Sequence, residues 1–250
     1  MDRMPRADVT IDTEDGVCAA TLHTPPGGGG VPAVILFPDA AGVRETFAVM
    51  ADRLAGLGYA VLLPDVYYRT EWDPFDVATV FRDPAERRRL DALYTGLTTE
   101  MIVRDTGAFL DFLTDRPEVS GAATGTTGYC MGGRMSLLAA AHHPARIAAA
   151  ASFHGGNLAD DTPDSPHRLT DRIRAVVHVA AAENDRSFPP EQFERLENAL
   201  VESGVRHRIE TCPAEHGFAV PDNPTYDETA AQRHWRALAE LYATTLAPGG

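Results

Sequence analysis

The sequence predicts an α/β fold, with a mostly parallel central sheet, helices on both faces and an antiparallel hairpin at the N-terminal end. Three observations predict it. Apolar runs of strand length recur along the chain, and longer stretches with helical periodicity separate them. Such alternation implies crossover connections, which join parallel strands and cover both of their sides. The first thirty residues depart from this pattern and read as a hairpin attached to one edge.

In chain order, Val9 to Ile11 and Cys18 to His23 flank a turn at Glu14-Asp15-Gly16, the hairpin signature. The run Pro25-Pro26-Gly27-Gly28-Gly29-Gly30 reads as a surface loop. A phosphate-binding loop follows a strand, opens a helix and ends in Gly-Lys-Ser/Thr, whereas this one precedes a strand and lacks that ending. Strands are expected over 33–37, 59–63, roughly 122–129, 147–153, 175–181 and 205–211. Between them, Phe47, Met50, Ala51 and Leu54 occupy one face of a helix over 45–57, and Gly58 stands where the helix would stop. Further helices are expected over 84–113, 132–141, 190–202 and 226–246. The stretch 66–89 carries Tyr67, Tyr68, Trp72, Phe75 and Phe81 amid Pro and charge, and it reads either as a lid over a site or as a surface excursion packed by its own aromatics.

With 250 residues, 44% of them hydrophobic and 23% charged, the chain can bury a full core, and a single domain over 1–250 is the expectation. Its 22 basic against 36 acidic residues give a formal charge of −14, which disfavours nucleic acid and anionic membrane surfaces as partners. No apolar run approaches the ~18 residues that span a bilayer, and the opening residues lack a secretory pattern. Cys18, Cys130 and Cys212 are odd in number and scattered, so they suggest neither a disulfide framework nor a metal site, and a reducing cytoplasm fits them. No metal and no cofactor are expected. The partner expected is a small molecule, with the chain a monomer or homodimer.

The chemistry centres on Gly128-Tyr129-Cys130-Met131-Gly132. A strand-like run ends at Tyr129 and a helical pattern resumes past Gly132-Gly133, so Cys130 falls at the join. A nucleophile on so sharp a turn crowds the backbone on both sides, which calls for glycine two residues before and two after. The turn aims the thiol at a helix N-terminus, whose dipole favours the thiolate, and puts the Met131 N–H where it could serve an oxyanion. Alone, the pattern also fits a buried inert cysteine. Its context is Asp185 after one predicted strand and Glu215-His216-Gly217-Phe218 after the next, the nucleophile–acid–histidine order of α/β-hydrolases. Glu183 rivals Asp185 as the acid, and His154, at a strand end, rivals His216 as the base.

On these residues the chain resembles the dienelactone hydrolase (carboxymethylenebutenolidase) family over nearly its whole length. The resemblance includes Asp39-Ala40-Ala41-Gly42-Val43 after the first buried strand and Pro64-Asp65-Val66-Tyr67-Tyr68-Arg69 after the second. It implies an α/β-hydrolase fold, a Cys130–His216–Asp185 triad and a second oxyanion N–H from Ala40. It also puts Asp39, one methylene shorter, where the family carries a glutamate that influences the resting thiol. Val220 stands where the type enzymes carry a substrate-binding arginine. Candidate substrate contacts are Arg44, Tyr67, Arg69, Arg88, His154 and Phe218. The implied activity is hydrolysis of a lactone or small carboxylic ester through acyl-Cys130. The alternatives are a catalytically silent hydrolase-fold protein that binds a small molecule or a partner chain and, more weakly, a redox-sensing thiol with Cys212 as the resolving residue.

Overall fold

Strand β1 (Arg6–Thr13) turns through Glu14 and Asp15 into β2 (Gly16–His23), with Thr13 paired to Gly16 and Ile11 to Cys18. This computed structural model describes residues 4–27 and 29–246; residues 1–3, Gly28 of the glycine run and residues 247–250 lie outside the described residues. The remaining strands are β3 (Val31–Phe37), β4 (Ala60–Pro64), β5 (Val119–Tyr129), β6 (Ile147–Phe153), β7 (Val176–Ala182) and β8 (His207–Cys212). The helices are α1 (Glu45–Ala55), α2 (Pro84–Gly96), α3 (Thr99–Thr114), α4 (Met131–His142), α5 (Pro190–Glu202) and α6 (Glu228–Thr245), with a short 3₁₀ helix at Pro166–Arg172.

The strands form one sheet in the order β1-β2-β4-β3-β5-β6-β7-β8. Pairing is antiparallel at β1–β2 and β2–β4, and parallel from β4 onward. Alternate residues of a strand feed opposite cores, because successive side chains leave a strand on opposite faces. Ala33, Ile35 and Phe37 enter the core shared with α3, α4 and α5, while Val34 and Leu36 enter the one shared with α1 and α6. Both cores extend along the sheet, which explains why β3 and β4 in its middle read as nearly unbroken apolar runs.

One expectation needs correction. The helical stretch 84–113 is two helices, α2 and α3, because Leu97 and Thr98 are extended. Gly96 is a poor helix former at the end of α2, and the Thr98 hydroxyl accepts the Met101 N–H at 3.3 Å to start α3 afresh. The break lets α2 project with residues 66–83 over the C-terminal ends of the parallel strands. A small cluster of Phe75, Val77, Val80 and Leu90 packs this cap onto Ala41.

Candidate active site

All the sequence-predicted catalytic groups emerge at one edge of the sheet, the carboxyl ends of β3, β5, β7 and β8, where open α/β sheets gather their ligand-binding loops. Cys130 lies between β5 and α4 with φ 54° and ψ −114°. A β-substituted residue in that left-handed region costs about 1–3 kcal/mol, which surrounding contacts must hold in place. They do so through the Cys130 N–H, which donates to the Phe153 carbonyl at 3.1 Å, and the Cys130 carbonyl, which accepts from Gly133 at 3.0 Å. A Cβ on Gly128 would stand 1.8 Å from the Gly132 carbonyl oxygen, and one on Gly132 would stand 2.3 Å from that of Phe37. Both positions therefore require glycine, and Gly132 does so because α4 starts hard against the end of β3. Met131 is the first residue of α4, so its N–H has no intrahelical partner.

His216 follows β8 and Asp185 follows β7. The imidazole Nδ1 donates to Asp185 Oδ2 at 2.6 Å, and the Asp185 carboxylate is almost fully buried. The other carboxylate oxygen accepts from Ser187, whose hydroxyl donates at 2.6 Å and whose backbone N–H donates at 2.8 Å. Ser187 was not anticipated from sequence, although an Asp-x-Ser spacing is a local signal for such a turn. Its hydroxyl oxygen lies 3.3 Å from His216 Nδ1, so it braces both members of the pair. Thr225 donates its hydroxyl to the His216 carbonyl and fixes the loop from the other side. Glu183, the rival acid, is an exposed residue of the cavity wall.

Burial opposes charge on both partners, yet the pair is held ionised. Burial pulls the His216 imidazolium down, but the Cys130 charge and the Asp185 hydrogen bond outweigh it and push His216 up to about 11. For Asp185, burial raises the carboxyl, and the hydrogen bond from His216 with those from Ser187 brings it below the usual carboxylate value. The arrangement is a cysteine sulfur beside an imidazole that a buried carboxylate orients.

The loop after β3 departs from expectation. Asp39 borders the same cavity as Cys130, but its carboxylate is already engaged: Arg44 donates to its two oxygens at 2.7 and 2.9 Å, and the Ala41 N–H donates to Oδ1 at 3.0 Å. A carboxylate so engaged shapes the loop. Arg44 is equally committed, since it also grips Asp222 at 2.7 and 2.9 Å, and it is not a free substrate anchor. The Tyr67 hydroxyl is 2.9 Å from the Ala40 carbonyl and 3.3 Å from Met131 Sδ, so the buried phenol buttresses the two residues expected to supply oxyanion N–H groups instead of meeting substrate.

Three more expected contacts fall elsewhere. Arg69 pairs with Asp15 and Asp105, each at 2.7 Å, and borders neither cavity at Cys130. Arg88 is exposed on α2; it is Arg87, one position earlier on the helix, that borders the cavity. Phe218 is fully buried in the α6-side core. His154 does reach the site. Its ring centre is 5.1 Å from that of His216, and its two ring nitrogens are buried without a hydrogen-bond partner among the described residues.

Two cavities meet at Cys130, His216, Ala40, Phe81 and Thr225. One, of about 850 Å³, opens past Arg186, Ser187 and Glu215; the other, of about 350 Å³, lies beneath the cap against Val77 and His154. Among the described residues no group of His, Cys, Asp and Glu could hold a metal ion, and no helix is long and apolar enough to cross a membrane. Cys212 is buried in the α6-side core while Cys130 packs against the opposite one, an arrangement that does not suit a resolving pair.

Known proteins share this construction. A carboxymethylenebutenolidase of Rhodococcus opacus is 28% identical over 235 residues, covering 91% of this chain and 87% of its own. The crystal structure of a dienelactone hydrolase-like promiscuous phosphotriesterase from metagenomic libraries superposes with a TM-score of 0.81 at 27% identity, covering 98% of this chain and 100% of that one. A structure from Klebsiella pneumoniae shares the fold with a TM-score of 0.83 at 22% identity, over 97% and 99% of the two chains. The profile of the dienelactone hydrolase family matches residues 18–246, nearly the whole sheet and all of the site, and the chain belongs to that family.

Proposed function

We propose that Cys130 is the nucleophile of this enzyme, with His216 as the proton carrier and Asp185 as its orienting carboxylate. The chain is a hydrolase of the lactone and carboxylic ester type; the cysteine mechanism and the residue roles are the proposal. The observation that carries it is the His216 imidazole, pinned through Nδ1 to Asp185 at 2.6 Å, at the wall of the two cavities that Cys130 also lines.

In the first step the Cys130 sulfur adds to the carbonyl carbon, and the N–H groups of Met131 and Ala40 receive the developing oxyanion. The tetrahedral species collapses with cleavage of the C–O bond, and the departing alkoxide takes the proton held by the His216 imidazolium. The charge on Cys130 helps to lift His216, together with Asp185, and the thioester carries none. Acylation therefore lowers the affinity of His216 for a proton at the moment when a base is needed. Neutral His216 then takes a proton from water, the hydroxide adds to the thioester carbonyl, and the C–S bond breaks to release the acid and restore the ion pair. A thiolate leaves a tetrahedral intermediate more readily than an amide nitrogen does, which favours esters and lactones over peptides.

The test is a screen of ester and lactone substrates against the wild type, Cys130→Ala and Cys130→Ser. Loss of at least about 1,000-fold in kcat for Cys130→Ala is expected, in line with removal of a covalent nucleophile. Wild-type rates in that variant would exclude Cys130 as the nucleophile, and a wild type that turns over none of the esters or lactones would leave binding without catalysis as the reading.

A further inference from the structure

Resting on the ester-hydrolase reading above, we propose that the cavity beneath the cap is the acyl subsite and that it selects a compact, uncharged, apolar acyl group, while the larger open cleft takes the alcohol half. Cys130 and His216 border both compartments, so a bound ester must straddle them. The two sides differ in chemistry. The cap side is walled by Ala41, Val77, Ala78, Phe81 and Pro224, whereas the open side presents Asp91, Glu183, Arg186 and Glu215.

Charge accounts for the selection. Asp39 borders the cap-side compartment, but Arg44 neutralises it, and every Arg44 N–H is used: two on Asp39, two on Asp222 and one shared with the Gly42 carbonyl at 3.2 Å. Arg44 therefore has nothing left for a substrate carboxylate. The buried His154 also stays neutral, because burial, then His216 and His234, hold its imidazole well below its ordinary value. An uncompensated carboxylate entering such a wall would lose its hydration without gaining a cation. Arg82 is the exception, an exposed cation that also lines this compartment.

Geometry assigns the acyl half. The compartment of about 350 Å³ lies between the β3 loop at Asp39–Ala41 and the His216–Gly217 turn, the size of site that holds a ring or a short chain. The alcohol must depart after the first step and water must enter for the second, and the open cleft of about 850 Å³ provides that route. Phe81, 53% exposed, stands at the junction and borders both compartments.

The experiment compares kcat/KM for para-nitrophenyl valerate with that for mono-para-nitrophenyl succinate, an ester of similar length carrying a carboxylate. It then repeats acyl and alcohol series in Ala78→Phe, which narrows the cap-side compartment from an exposed position. The neutral ester should be favoured by about 10-fold or more. Ala78→Phe should depress valerate about 10-fold more than it depresses para-nitrophenyl acetate or naphthyl acetate. A preference for the succinate ester would overturn the proposal, and its loss in Arg82→Gln would assign that preference to Arg82; an Ala78→Phe effect confined to the alcohol series would overturn it equally. Unchanged turnover in Cys130→Ala is a separate result that would overturn the nucleophile assignment and the subsites with it.

Discussion

The Arg44 guanidinium grips Asp222 across 178 residues of sequence, with Nε at 2.7 Å and Nη2 at 2.9 Å from the two carboxylate oxygens. Its other N–H groups hold Asp39, and Thr46 adds a hydroxyl to Asp222 at 2.7 Å. One cation thereby ties the β3 loop, which carries Ala40, to the loop that carries His216. Arg44→Ala leaves the buried Asp39 without its partner and should destabilise the fold by about 3–5 kcal/mol. The double variant Arg44→Met/Asp39→Asn removes the charge with the cation and should recover much of that loss. Chemical denaturation of the two variants measures the difference, and equal losses would contradict the clamp.

Ser187 supports Asp185 and should matter to turnover more than to binding. Removing a hydrogen bond to a charged group costs about 1.5–3 kcal/mol, so Ser187→Ala is expected to lower kcat by about 10- to 100-fold with KM little changed. Steady-state kinetics on an activated ester would detect it. A selective rise in KM would place Ser187 against the substrate instead.

The three cysteines should react very unequally. Cys18 is fully buried and its thiol is pushed up to about 12, first by burial and then by Asp65 and Asp105. Cys212 is also buried and raised, again mainly by burial. Cys130 is partly exposed beside His216. Iodoacetamide at neutral pH, followed by peptide mass spectrometry, should modify Cys130 first and abolish ester hydrolysis in proportion. Comparable labelling of Cys18 or Cys212 would run against this arrangement.

Stability should fall with acidification because of histidines that never enter the chemistry. Burial lowers His234 to about 3 and His178 to about 4, and His154 is also held low. His234 is built to be neutral: Nδ1 donates to the Ala231 carbonyl and Nε2 accepts from Tyr129, each at 2.9 Å. Below the unfolded value of about 6.5 the unfolded chain binds these protons and the folded chain does not, so stability decreases as pH drops towards the folded values. Each such histidine removes up to about 2 kcal/mol between pH 6.5 and 5. His216 has the opposite sign. Being raised to about 11, it contributes stability below 6.5 and loses it as pH rises through 11. Urea unfolding at pH 7.5 and 5.0 should give the higher stability at pH 7.5, and the decrement should shrink in His234→Phe if that residue contributes.

The sequence by itself determined the sheet, its flanking helices and the positions of Cys130, Asp185 and His216. Each is recorded locally. Strands buried on both faces must be apolar throughout, an elbow must have glycine at 128 and 132, and the chain order places an acid and a histidine after successive strands. Side-chain pairings between distant loops leave no such record. Tertiary structure decided that Asp39 and Arg44 neutralise each other, that Tyr67 braces Ala40 and that Phe218 is core. It also decided that Arg87 borders the cavity rather than Arg88, since one step along a helix turns a side chain by about 100°. The division of the site around Cys130 likewise depends on a cap anchored by Phe75, Val77 and Leu90, residues whose burial only the folded chain creates.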